Sequence, residues 1–293
     1  MSLGGTMLLR DFILLMVVCL VWATNFIVTK LVLVHLDVPP LLFSSLRFAL
    51  LLFIALPWLL PWPRPRWRIA VVGVLMGAGG FGLVSIGLMT ATPSSAAVVT
   101  QLGVPITALL SVLLLGERIG WRRGIGIALA FSGALVVMYD PGGFALSVGL
   151  IFVLGSAFAS AFSVVLMKKM NNVEPLQFQA WVGLASFIPL ALGSVSVETD
   201  QVARAASAGW PFFLAVAYTA LFVSLLGHSI FFRLVQKYEA NLISTLTLMC
   251  PLMGIGLGVL VTGDRFDMRM MIGTAVVLTG VAVILTAPRS APR

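Results

Sequence analysis

Apolar residues fill this chain in stretches of 18 to 25, while charges, prolines and paired glycines gather in the short segments between them. A helix rises about 1.5 Å per residue, so about 20 apolar residues carry it across the hydrocarbon of a bilayer. The pattern predicts ten such helices, over 9–33, 41–61, 68–91, 94–115, 122–139, 145–167, 175–194, 210–232, 240–262 and 270–287. Residues that stop helices follow several of them: Asp37-Val38-Pro39-Pro40, Pro61-Trp62-Pro63-Arg64-Pro65 and Asp140-Pro141-Gly142-Gly143. Every connector is short except 195–209, so no soluble domain fits. The weakest break is Thr92-Pro93-Ser94-Ser95; were the third and fourth helices one broken helix, everything after them would change sides.

Composition agrees with the pattern. Hydrophobic residues make up 60% of the chain, charged residues 10%, and the mean hydropathy is +1.11. A soluble domain carries about a quarter of its residues as charges, so this chain could not cover a water-exposed surface. The 28 glycines and 15 prolines suit a membrane bundle, where small residues let backbones approach. Arg10 and the apolar run behind it imitate a signal peptide, but no small-residue cleavage site follows, so the run is kept as the first membrane helix. Cys19 and Cys250 both lie in apolar runs and indicate neither a disulfide scaffold nor a metal site.

The net charge of +8 would suggest a nucleic-acid partner were it not for its placement. With the N-terminus inside, the cytoplasmic segments hold thirteen basic residues: Arg10, Arg64, Arg66, Arg68, Arg118, Arg122, Arg123, Lys168, Lys169, Arg233, Lys237, Arg289 and Arg293. The outer segments hold three, Arg204, Arg265 and Arg269. Positive charge accumulates on the cytoplasmic side, so the bias supports an even helix count with both termini in the cytoplasm. Nucleic acid drops out as a partner.

The second half of the chain repeats features of the first. Gly116-Glu117-Arg118 follows the fourth helix and Gly263-Asp264-Arg265 the ninth, and Phe131-Ser132-Gly133-Ala134 matches Leu278-Thr279-Gly280-Val281 at the same offset of 147 residues. Gly126 and Gly273 fit the offset, and Pro105 and Pro251 stand one position out of it. The expected fold is thus an all-α membrane protein, ten transmembrane helices in two five-helix repeats, residues 1–140 and 141–293. Because five is odd, the halves enter the membrane with opposite orientation, an inverted-topology repeat. Such repeats are a common basis for alternating access around a central site, though some channels use them too.

Several segments resemble the drug/metabolite transporter superfamily, and within it the EamA family of bacterial ten-helix permeases. They are Leu20-Val21-Trp22-Ala23-Thr24-Asn25-Phe26, Pro39-Pro40 followed by Leu46-Arg47-Phe48, and the stretch from Ala96 through Leu115 into Gly116-Glu117-Arg118, Trp121-Arg122-Arg123 and Gly133. The second half repeats the last of these more loosely through Asn241, Pro251 and Asp264. The resemblance covers nearly the whole chain. It departs at Ala23, where family members often have glycine, and in the sparse polarity of the third helix. It implies the drug/metabolite transporter fold, a bacterial inner (plasma) membrane location and export of amino acids or related small metabolites. Efflux of amphipathic drugs or toxic compounds is the alternative. The expected partners are that small-molecule substrate and the surrounding lipid, with the chain a monomer or weak homodimer. No cofactor is implied.

Polar residues within spans are the candidates for a substrate path. Trp22, Asn25 and Thr29 share one face of the first helix. Asn25 can hydrogen-bond an amino-acid headgroup and Trp22 can pack on an apolar side chain, or Asn25 can simply tie two helices together. Lys30, near the outer end of the first helix, can snorkel to the headgroups. Arg47 is deep, where it either recognises a carboxylate or forms a structural salt bridge or carbonyl cap. Gln101 precedes Pro105 by one turn, and a proline there leaves a backbone carbonyl exposed or merely kinks the helix. Asn241 and Thr245 precede Cys250-Pro251 on the matching wall. Ser156, Ser160 and Ser163 stripe the sixth helix; Gln177, Gln179 and Trp181 start the seventh; Ser224 and His228 lie in the eighth. His228 is the one histidine within a span, so it either couples transport to protons or holds a helix contact.

Glu117, Asp140, Glu174, Glu239 and Asp264 fall at helix ends or loops, which disfavours a proton relay or sodium site built from carboxylates. An intramembrane enzyme would need paired aspartates, a HExxH metal motif or a serine-histidine pair at helix depth. None is recognisable, so neither catalytic nor metal-binding residues are assigned. A channel and a purely structural or receptor role are the remaining rivals.

Overall fold

In the computed structural model, which describes residues 7–116, 120–140, 145–167, 170, 173–238 and 240–287, the predicted helices appear in order. They are α1 Leu9–His35, α2 Pro40–Trp58, α3 Arg66–Leu88, α4 Pro93–Leu115, α5 Trp121–Met138, α6 Val148–Met167, α7 Pro175–Val197, α8 Gln201–Lys237 and α10 Met268–Thr286, with α9 in two pieces, Ala240–Leu246 and Met249–Thr262. Among the described residues all but α9 are long and apolar enough to cross a membrane; α9 matches them only as a broken helix. A two-residue antiparallel pair, Tyr139–Asp140 with Ala145–Leu146, stands between α5 and α6. Glu117, Arg118, Pro141, Gly142, Gly143, Lys168, Lys169, Glu239, Arg289 and Arg293 lie outside the described residues.

Three boundaries carry information. The break at Thr92 is real: its Oγ1 accepts the Ser95 N–H at 3.2 Å and Pro93 occupies the first turn, so α4 starts anew with a side-chain cap. The expected long connector 195–209 is largely helix. Residues from Gln201 belong to α8, which kinks at Gly209 (φ 64°, ψ −155°), a backbone conformation that glycine adopts readily, just before Pro211. What remains of the connector is tied down by Glu198, whose carboxylate accepts the Leu41 and Leu42 N–H groups at 2.7 and 2.9 Å and so caps the start of α2 from outside. Helix α9 breaks at Thr247–Leu248, four and three residues before Pro251, which has no N–H to give, and the Thr247 carbonyl accepts from the Cys250 N–H at 2.9 Å instead. Helix α4 tightens at the corresponding place, in a 3-10 turn over Thr100–Leu102 ahead of Pro105.

Packing follows the glycines. Helix α5 crosses α10 so closely that a Cβ at Gly126 would stand 2.7 Å from the Gly280 carbonyl oxygen, and one at Gly133 2.7 Å from that of Gly273. The pairing is reciprocal: Gly126 and Gly273, and Gly133 and Gly280, are the residues 147 apart in sequence. Gly116 and Gly263, also 147 apart, end α4 and α9 in the left-handed conformation (φ 68° and 67°) that favours glycine at a helix C-terminus. Helix α2 packs on α7, α1 lies against α8 and α9, and α6 lies against α3 and α4. Between them sits an apolar core that includes Leu88, Val98, Leu102, Val153, Val277 and Val281.

Candidate functional site

Helices α1, α3, α4, α6, α8 and α9 enclose a central cavity in two adjoining lobes of about 270 and 210 Å³. Asn25, Phe26, Phe81, Thr100 and His228 line both lobes. Trp22, Gln101, Val223 and Cys250 complete the larger, while Met76, Gly80, Ser156 and Ser160 help to form the smaller. Aromatic faces and single polar groups alternate around it, as in sites for small amphipathic ligands.

Local backbone irregularity builds this wall. Wide π turns run over Leu75–Gly82 in α3 and Tyr218–Gly227 in α8, and such turns release backbone groups from the helix ladder. The Val223 carbonyl accepts from Trp22 Nε1 at 3.4 Å and lies 3.0 Å from His228 Nδ1, which is also 3.2 Å from the Ser224 carbonyl. A carbonyl only accepts, so Nδ1 carries the ring proton and Nε2 is left as the acceptor. The His228 ring packs 5.1 Å from Trp22 and edge-on to Phe81 at 5.9 Å. Gly227 makes room for the indole: a Cβ there would fall 2.8 Å from Trp22 Nε1.

Directly behind Asn25 and Phe81 lies Arg47, only 3% exposed. Its Nε and Nη2 donate to Ser224 Oγ at 3.1 and 2.8 Å, and its Nη1 to Asn25 Oδ1 at 3.3 Å. The guanidinium carbon stands 4.1 Å from the centre of the Phe81 ring. Among the described residues no carboxylate pairs with it. The expected salt bridge or carbonyl cap is therefore replaced by two neutral oxygens and an aromatic face. Asn25 spends its carbonyl oxygen on Arg47, leaving its amide NH₂ as the donor at the cavity wall.

The other candidates separate. Trp22, Asn25, Gln101, Ser160 and His228 come together at the cavity, with Arg47 and Ser224 behind it. Gln179 is buried in α7 and Trp181 turns to the α2–α3 connection, its Nε1 donating to the Leu59 carbonyl at 3.1 Å and its ring stacking on Trp62 at 4.7 Å. Neither lines the cavity, and Gln177 likewise bonds the Pro61 carbonyl at 2.7 Å. Thr245 is exposed and lines neither lobe; the Asn241 side chain lies outside what the structure describes. Lys30 does not line the cavity: its ammonium donates to the Leu88, Met89 and Ala91 carbonyls at 2.8, 3.2 and 3.0 Å, closing the end of α3. Ser163 spends its hydroxyl on the Val72 carbonyl at 3.1 Å, and Ser156 bonds Val153 in its own helix at 2.7 Å. Phe26, Phe81 and Thr100 were not anticipated.

Both ends of the bundle are fastened. On the face of the N-terminus, Asp11, 3% exposed, accepts from Lys237 Nζ at 2.5 Å and Tyr238 OH at 2.8 Å, joining α1 to the end of α8. On the opposite face α3 meets α6 through Gly87 and Gly149, where a Cβ on Gly87 would stand 2.6 Å from the Gly149 carbonyl oxygen. Beyond that contact opens a larger recess of about 520 Å³. Ala91 and Leu150 line the recess and Val84 and Ala157 the central cavity, with buried Leu88 and Val153 between them.

The chain is 26% identical over 283 residues to a protein of Salmonella typhimurium described as a probable amino-acid metabolite efflux pump, with 94% of each chain covered. It is 25% identical, over the same shares, to the protein of that description in Escherichia coli, and 26% identical over 292 residues to an uncharacterised transporter of Bacillus subtilis, covering 96% of this chain and 93% of the other. A crystal structure superposes over 94% of this chain and 96% of its own with a TM-score of 0.62 at 20% identity, a likeness of fold. Among the described residues no group of three or more His, Cys, Asp or Glu is placed to hold a metal. The model of the EamA-like transporter family matches twice, over residues 10–139 and 147–286, and this multi-pass membrane protein belongs to that family.

Proposed function

We propose that the chain exports amino acids or closely related small metabolites from the cytoplasm of a bacterium. Transport runs by alternating access between two inverted halves, residues 1–140 and 141–293, with both termini cytoplasmic. The observation that carries the substrate assignment is Arg47: a buried guanidinium beside the central cavity, held by Ser224 and Asn25 with no carboxylate partner among the described residues. Burying a cation costs several kcal/mol unless an anion compensates, so the unfilled role favours a ligand that brings a carboxylate. In this reading the Asn25 amide receives the carboxylate in the field of Arg47, His228 Nε2 accepts from the ammonium group, and Trp22, Phe26 and Phe81 hold the side chain. The descriptions of the Salmonella typhimurium and Escherichia coli relatives favour the same substrate class. The reciprocal glycine crossing of α5 and α10 favours two halves related by a pseudo-twofold axis.

A second reading, efflux of amphipathic drugs, draws on the three aromatic rings in the wall. Counterflow in proteoliposomes separates the two. Vesicles loaded with an unlabelled amino acid should accumulate the same labelled amino acid saturably, and a panel of cationic drugs should not exchange. Exchange of the drugs alone overturns the assignment.

A further inference from the structure

Several glycines inside the helices are explained by packing. A Cβ at Gly80 of α3 would stand 2.6 Å from Ser160 Oγ, at Gly227 of α8 2.8 Å from Trp22 Nε1, and at Gly254 of α9 2.9 Å from the Ala97 side chain. Gly103 of α4 is not explained this way. Its backbone is ordinary helix (φ −53°, ψ −34°), which any L-residue adopts, and a Cβ there would meet only the Ala157 carbonyl oxygen at 3.9 Å, a normal van der Waals contact. Glycine is the poorest helix former after proline, so a glycine free of both strain and crowding weakens α4 unless the space itself is used. Gly124 and Gly256 are equally uncrowded, but neither lines the cavity. Gly103 lines its smaller lobe.

The character of that lobe follows from its walls. Beyond the residues it shares with the larger lobe, Met76, Gly80, Val84, Gly103 and Ala157 present apolar surface, and of its two serines Ser156 already bonds its own helix. Among the described residues no acid, lysine or arginine lines it, so a charged side chain entering here would lose its water without gaining a partner. An apolar cavity of about 150 Å³ holds a benzene ring. The lobe, at about 210 Å³, has room for a side chain of that size.

We propose that Gly103 sets the size of a side-chain subsite, and that the smaller lobe selects amino acids with a large apolar side chain, such as leucine, methionine or phenylalanine. This rests on the export reading: with the headgroup at Asn25 and His228, the side chain runs past Phe26 and Phe81 into the lobe.

The experiment is counterflow in proteoliposomes with the purified full chain, comparing alanine, leucine and phenylalanine in the wild type, Gly103→Ala, Gly103→Leu and Gly256→Ala. Each result is read as a ratio of kcat/KM values within one preparation, so the folded fraction cancels. One methylene of misfit in an apolar pocket changes selectivity about 10- to 200-fold, so the wild type should favour leucine and phenylalanine over alanine about tenfold or more. Gly103→Ala should lower the phenylalanine-to-alanine ratio about tenfold, and Gly103→Leu, which fills the lobe, should lower the leucine-to-alanine ratio about a hundredfold. Gly256→Ala, the same change on an uncrowded glycine away from the cavity, should leave both ratios alone. If the bulkier variant fails to fold, Gly103→Ala decides. The proposal is overturned by a wild type that exchanges glutamate or lysine in preference to leucine, by unchanged ratios in Gly103→Ala, or by the same fall in Gly256→Ala. Any of these alongside wild-type amino-acid counterflow sinks the size-selecting lobe alone, whereas no counterflow of any amino acid sinks the transport reading and the lobe with it.

Discussion

Arg47 divides its support between two residues that should behave differently when removed. Ser224 takes two guanidinium bonds at 3.1 and 2.8 Å and does not line the cavity, while Asn25 takes one at 3.3 Å and does. Hydrogen bonds to charged groups contribute about 1.5–3 kcal/mol each when buried, so Ser224→Ala should lower the thermal midpoint in detergent more than Asn25→Ala. Transport should follow the opposite order, with Asn25→Ala the more damaging once folded protein is matched. A larger loss of stability in Asn25→Ala would contradict this division of roles. Trp22, Asn25, Gln101 and His228 were legible in the sequence because a polar or amphipathic side chain at membrane depth needs a reason to be there. Phe81 was not, since a phenylalanine on an apolar helix reads as lipid-facing; its only signal is the company of Gly79, Gly80 and Gly82, which marks a face closely approached. Trp181 shows the converse: its place near the start of α7 did not reveal that its indole would be claimed by the Leu59 carbonyl.

At the level of helices, the contact that closes the recess from the centre is the crossing of α3 and α6. Gly149 is pressed so tightly there that an added Cβ would meet the Gly87 carbonyl oxygen at 2.5 Å and the Ala91 nitrogen at 2.8 Å. Overpacking of backbone against backbone costs about 1–3 kcal/mol, but only in the arrangement where the two helices touch. Gly149→Ala should therefore shift the population toward a state open on that face. In a Cys19→Ser, Cys250→Ser background carrying Val153→Cys, an impermeant maleimide should label residue 153 from that face about tenfold faster after Gly149→Ala, the change expected for 1.4 kcal/mol. Unchanged labelling in a folded variant would contradict the idea that this contact closes the cavity on that face. The number and order of helices were legible from apolar run lengths and from Pro and Gly between them. The helical start of α8 and the break in α9 were not. The first is an amphipathic stretch outside the apolar run; the second arises at Pro251, whose missing donor was visible in the sequence although the extent of the break was not.

Across the whole molecule, the charge asymmetry and the repeat at 147 residues predict two opposed halves with a site between them, the arrangement proposed above. The glycines that carried the repeat in sequence are those at which α5 and α10 cross. What no sequence pattern could reveal is that the two faces are fastened by different means, a charged cluster of Asp11, Lys237 and Tyr238 on one and, on the other, a glycine contact together with Asp264, whose carboxylate accepts the Ser94 N–H. Alternating access requires each fastening to release in turn while the substrate holds the centre. Cys250 is placed to report this, because it lines the central cavity while Cys19, the other cysteine, is buried beside it. The most direct measurement is alkylation of Cys250 by an impermeant maleimide, applied to each face of reconstituted Cys19→Ser protein. The account predicts labelling from both faces, slowed from either by the amino acid that shows counterflow. Labelling indifferent to that amino acid would contradict it, because the substrate would then cross without occupying the cavity.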